Sequence, residues 1–98
     1  VFVTCGQGRA GATYWGAFAG PRAAAEILVK AYAAEVRKTA LKVNLFDPGP
    51  MATKLRREAY PGEAPDAQEA PASVAPQILP LLAPRLERTG ERLSAAAR

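Results

Sequence analysis

The sequence predicts an α/β fold built on parallel strands, and three observations carry that prediction. A β-branched and aromatic run opens the chain at residues 1–4 (VFVT), and a second short run, LKVNLF, occupies 41–46. Between them lies a long stretch of strong helix formers. Strand, a crossover of about thirty-five residues containing a helix, then strand is the βαβ arrangement. Its crossover is right-handed and its strands run parallel.

Residues 1–4 read as a buried strand that exposes one unpaired edge. Residues 6–20 hold five of the eight glycines together with Tyr14, Trp15 and Phe18, and read as largely loop. A helix is expected over 21–38, with Gly20 as N-cap and Pro21 as its first residue, where a missing N–H costs nothing. Arg22, Glu26, Lys30 and Arg37 fall on one narrow stripe of that helix. Most of its remaining surface is Ala, Ile, Leu, Val and Tyr, so it calls for two partners, a sheet and something else. The second strand at 41–46 ends in the turn sequence Asp47-Pro48-Gly49-Pro50. A short helix over 52–59 follows, then a mobile loop over 60–71 rich in Pro and acidic residues. Pro76, Pro80 and Pro84 fall on one face and predict a short or kinked helix over 72–83. Thr89-Gly90 predicts a turn and 91–94 a small strand. Two parallel strands with one crossover do not make a stable sheet, since parallel sheets are covered on both faces and have several strands. The expectation is one partial domain, 1–98, that is a fragment or folds only with a partner.

Composition narrows the classes of function. The chain has 98 residues, 49% of them hydrophobic, so it is not disordered overall. Charges interrupt every apolar run short of a membrane span, and no signal segment opens the chain. Cys5, the single cysteine, excludes an internal disulfide and suits a reducing compartment, so a cytoplasmic location is expected. The net charge is +4, but the basic residues are scattered and not interleaved with aromatics, which argues against nucleic-acid binding. With no histidine, Cys5 has no imidazole to activate it as a nucleophile, and a metal site would need carboxylates alone. Glu58, Glu63, Asp66 and Glu69 lack calcium-loop spacing and read as a solvated acidic stretch.

Residues 6–11 (GQGRAG) match G-x-G-x-x-G directly after a strand. The dinucleotide fingerprint requires a helix to start inside the glycines and an acid about 20 residues on. Here residues 12–20 intervene and Asp47 lies far downstream, so a flexible glycine loop is the better reading.

The order strand, glycine-rich loop, aromatic, helix, strand, Pro-Gly resembles the second half of the short-chain dehydrogenase/reductase domain. The resemblance covers nearly the whole chain. That family places a serine just after a strand, a tyrosine thirteen residues on and a lysine four after that. On those offsets Cys5 takes the serine position, Phe18 the tyrosine position and Arg22 the lysine position. Asn44 sits where the family often reads Val-Asn. Pro48 and Gly49 match the family's Pro-Gly turn, and Thr53, five residues past the proline, matches its threonine. Val74-Ala75 resembles the start of the late helix and Thr89-Gly90 the final turn. Trp15 to Phe18 (WGAF) and Tyr60 to Glu63 (YPGE) are similar to a bacterial subgroup.

The resemblance implies the C-terminal half of a Rossmann-like doubly wound parallel sheet, and NAD or NADP as cofactor. It places Cys5, Phe18 and Arg22 at substituted catalytic positions and Arg22, Pro48, Gly49 and Thr53 against the cofactor. It further implies a small carbonyl or alcohol substrate and a homo-oligomer formed through helix 21–38. The substitutions change the chemistry. Phe18 has no hydroxyl to carry a proton, a group typically worth about 10²–10⁴ in rate. Arg22 keeps the charge and can donate to ribose hydroxyls, but has no phenol to tune. Cys5 is a weak donor to a substrate carbonyl. Tyr14 is the nearest phenol along the chain. As plain structure, Pro48-Gly49 is a turn and Thr53 a helix cap. Three functions follow: a degenerate, catalytically impaired pseudoenzyme; an active reductase using displaced groups; or a non-enzymatic helix-mediated dimerisation module.

Overall fold

The structure is a computed structural model that describes residues 1–6, 11, 13–64 and 66–95. The elements run β1 (Phe2–Val3), α1 (Gly16–Glu35), β2 (Leu45–Asp47), α2 (Lys54–Ala59), α3 (Pro71–Val74), a 3₁₀ helix (Ala75–Leu82) and β3 (Arg92–Ser94). The three strands form one sheet in the order β1-β2-β3, with both pairs parallel. Phe2 lies opposite Leu45, and Phe46 opposite Leu93.

Burial follows from that order. Central β2 has a neighbour on each edge, and Leu45 and Phe46 are buried with Ala33 and Val74 as the apolar core. β1 pairs on one edge only. Phe2 and Val3 are exposed and only Thr4 is buried, against the expectation of a buried first strand. The second strand is also shifted relative to the expected 41–46. Leu41 and Lys42 stay exposed, while Val43 and Asn44 grip the approach to β3. The Val43 N–H donates to the Thr89 hydroxyl, and the Asn44 amide spans Arg88 C=O (3.0 Å) and Glu91 N–H (3.2 Å). That accounts for a fully buried asparagine, and Gly90 at φ 73° makes the predicted turn.

Helix α1 corrects two expectations. It begins at Gly16, with Trp15 at the N-cap, so residues 16–20 are helix rather than loop and Pro21 lies inside it. Local signals favoured Gly20-Pro21 as the start. The contacts of Trp15 with Phe18 and Tyr60 anchor an extra turn instead. The hydrogen bond that Pro21 cannot donate would have gone to Ala17, which is exposed and open to water. The charged stripe is buried unevenly, with Lys30 and Arg37 exposed. Arg22 is half-buried and Glu26 buried, while Ile27, Leu28 and Tyr32 face outward. Ala33 passes over the Gly90 turn, where a Cβ on Gly90 would lie 3.8 Å from the Ala33 methyl.

The proline-spaced segment forms only a short α-helix, α3, and then tightens into the 3₁₀ helix, so the expected single short or kinked helix is split in two. Among the described residues no helix is long and apolar enough to cross a membrane.

Candidate functional site

A cleft of about 1000 Å³ opens at the C-terminal ends of β1 and β2. In open α/β sheets ligands bind at this end of the strands. Three elements wall it: the chain leaving β1, the first two turns of α1, and the turn after β2 with α2. All six residues singled out from the sequence line it: Cys5 after β1, Phe18 and Arg22 on α1, and Pro48, Gly49 and Thr53 after β2.

Gly49 adopts φ 74°, a conformation that favours glycine, and its N–H donates to Asp47 Oδ1 at 2.9 Å. The tight turn therefore depends on the acid that ends β2 as well as on its glycine. Thr53 caps α2, its hydroxyl oxygen accepting the Arg56 N–H at 3.2 Å. That bond uses an acceptor site and leaves the hydroxyl proton to donate. On the opposite wall the Arg22 guanidinium lies over the Phe18 ring, 4.2 Å from its centroid. Arg22 lines the cleft and forms no ion pair among the described residues. Phe18 in turn meets Trp15 edge-on at 5.4 Å.

Tyr14, the candidate substitute phenol, is fully exposed at φ 70° and does not line the cleft. Tyr60 does. It stacks on Trp15 at 6.2 Å, and the Arg56 guanidinium covers its ring at 4.0 Å. Glu63 holds Arg56 through two bonds, at 3.0 and 2.9 Å, and takes a third from Gln68. The bonds from Arg56 and then Gln68 keep the Glu63 carboxyl below the usual glutamate range, and the same pair raises Arg56. Glu63 is thus no member of a solvated acidic stretch: a guanidinium one loop away offers it a bidentate partner. In the sequence Tyr60 sits in a Pro-rich loop with no periodicity, and only its YPGE context marks it.

A second feature lies behind the cleft. Glu26 accepts the Thr4 hydroxyl at 2.8 Å and Arg92 Nε at 3.2 Å, and Arg92 also reaches Asp47 Oδ2 at 3.0 Å. Burial alone would lower the Arg92 guanidinium; its bonds to Asp47 and Glu26 outweigh that and raise it. The G-x-G-x-x-G run lies largely outside the described residues. Its flanks fit the loop reading, since α1 starts at Gly16, five residues past Gly11.

Known proteins share this fold. The chain is 35% identical over 82 residues to an uncharacterised oxidoreductase of Escherichia coli K12, YciK, covering 84% of the chain and 32% of that protein. A short-chain dehydrogenase from Salmonella enterica serovar Typhi superposes with a TM-score of 0.87 at 32% identity, over 95% of this chain and 39% of that one. The chain belongs to the short-chain dehydrogenase/reductase family. A further dehydrogenase of the family, from Shigella flexneri 2a and solved with NADP, gives a TM-score of 0.86 at 32% identity over the same shares. No family model matches the chain. The chain spans about a third of the curated relative and about two fifths of the solved dehydrogenases. In sequence and fold it is an oxidoreductase-like α/β unit of that family.

Proposed function

We propose that this chain forms the nicotinamide end of an NAD(P)-binding cleft in a dehydrogenase whose carbonyl-reducing chemistry is impaired. The observation that carries the reading is the meeting of Phe18, Arg22, Gly49 and Thr53 in one cleft, with no oxygen on the Phe18 ring. The residues suit the cofactor. A Cβ at Gly49 would meet nothing within 4 Å, so the turn leaves room for a ligand against the backbone. The Thr53 hydroxyl and the Arg22 guanidinium supply donors for a carboxamide, a phosphate or ribose hydroxyls. A similar dehydrogenase was solved with NADP. A bound nicotinamide supplies the hydride. This chain's part is to orient it and to exclude water with Trp15, Phe18 and Tyr60. Phe18 cannot deliver the accompanying proton, and Cys5 is a poor donor to the carbonyl oxygen. The substrate class is a small carbonyl compound or its alcohol.

Calorimetric titration of the full chain with NADPH and NADH, paired with product analysis on a panel of ketones and aldehydes, tests this. Nucleotide binding with negligible turnover is the expected result. Absence of binding to either nucleotide would reject the cleft assignment.

One observation favours a second reading, an active reductase with a displaced donor. Tyr60 is the one phenol lining the cleft among the described residues, and it sits beside a cation. Under that reading turnover is present and Tyr60→Phe removes it, while Tyr14→Phe leaves it unchanged. The exposed Ile27, Leu28 and Tyr32 on α1 support pairing with a second copy, as the two-sided apolar helix implies. Sedimentation of Ala31→Glu against the parent chain tests that pairing.

A further inference from the structure

We propose that Arg92, on the last strand, is a positioning residue that sets the Pro48-Gly49 turn and the cleft wall on α1 through two carboxylates. The proposal rests on the nucleotide-cleft reading for its binding consequence, though not for its geometry. The connection is continuous. Arg92 Nη2 binds Asp47 Oδ2 at 3.0 Å, and the other oxygen of that carboxylate, Oδ1, takes the Gly49 N–H at 2.9 Å. Arg92 Nε binds Glu26 Oε1 at 3.2 Å, and Glu26 Oε2 takes the Thr4 hydroxyl at 2.8 Å. One guanidinium therefore joins β3, the end of β2 and the middle of α1, with Thr4 after β1 tied in through Glu26.

Its setting makes the link stiff. The side chains of Arg92, Glu26 and Asp47 are only 16%, 6% and 15% exposed. Such pairs lose little to solvent screening, and the planar guanidinium holds its two partners at fixed angles as an ammonium cannot. Glu26 lies one helical turn after Arg22, so the same contact fixes the wall that carries Arg22 and Phe18. Gly6 leaves the room this requires. A Cβ there would lie 2.9 Å from Asp47 Oδ2 and 3.7 Å from Arg92 Nη2, closer to the carboxylate than real contacts allow. A side chain at position 6 would push Asp47 off Arg92. The first cleft-lining glycine is thus explained by a carboxylate behind it, without invoking a pyrophosphate in front.

Arg92→Met, Arg92→Lys and Gly6→Ala in the full chain test this through two signals, both read well below each variant's melting temperature. The first is the amide proton shift of Gly49, which reports its bond to Asp47 without any nucleotide. The second is the calorimetric Kd for NADPH. Arg92→Met is expected to move the Gly49 signal and weaken NADPH about tenfold, the order of one lost charge-assisted hydrogen bond. Arg92→Lys, which keeps the charge and loses the fork, should fall between. Gly6→Ala should move the same Gly49 signal with all charges in place, and it decides the matter if Arg92→Met does not fold. Folded variants whose Gly49 signal stays at the parent position would overturn the proposal. If the parent chain itself fails to bind NADPH, the nucleotide reading falls and the Gly49 signal alone judges Arg92.

Discussion

The two walls of the cleft differ in what they have kept. On the wall after β2, Pro48, Gly49 and Thr53 match the family pattern, and the backbone does what that pattern requires: a left-handed glycine and a capped helix. On the opposite wall, under the reading proposed above, Cys5, Phe18 and Arg22 keep the family's spacing but change its chemistry. The contrast separates holding a nucleotide, which needs shape and backbone, from moving a proton, which needs one particular oxygen.

The sharpest way to break that contrast is to put the oxygen back. Phe18→Tyr combined with Arg22→Lys is expected to raise NADPH-dependent carbonyl reduction by about 10²-fold or more over the parent chain, measured as alcohol formed. A double variant with no gain would count against the reading that the missing oxygen at Phe18 is what limits the α1 wall. On the other wall, Gly49→Ala meets no steric obstacle but must adopt φ 74° with a Cβ, at a cost of about 1–2 kcal/mol read from denaturant unfolding. Thr53→Ala removes the α2 cap for about 1 kcal/mol, and Thr53→Ser should recover most of it.

The smallest effect is electrostatic. Glu63 has a lowered folded-state value, so its contribution is complete above the ordinary glutamate value of about 4.3 and is lost as pH falls through the folded one. The difference in melting temperature between the parent chain and Glu63→Gln should therefore be constant near neutrality and shrink in acid. A difference that grows in acid would contradict the ion pair with Arg56.

The sequence revealed the cleft more fully than it revealed what supports the cleft. Cys5, Phe18 and Arg22 are separated by offsets that a strand end and one helix preserve, so their meeting was readable, as was the Pro48-Gly49 turn. Parallel pairing followed from the βαβ order, and the small last strand from the Thr89-Gly90 turn. The start of α1 was misread because Gly20-Pro21 is a strong local signal, whereas the aromatic anchoring of the earlier turn depends on Tyr60, far along the chain. Glu26 was grouped with a charged stripe because its partner Arg92 is 66 residues away, and no periodicity joins the two. Asp47 was read as a turn residue and weighed as a fingerprint acid, and the turn role holds through the Gly49 N–H, but its bond to Arg92, 45 residues on, has no signal in the sequence.

Trp15 is the only tryptophan in the chain, and it stands in the cleft wall, stacked on Tyr60 and edge-on to Phe18. The protein thus carries one indole, separable from its tyrosines by excitation wavelength, at the place of interest. Its emission overlaps the absorption of a reduced nicotinamide, so occupancy of the cleft can be watched by energy transfer from a single indole, without a label and without turnover.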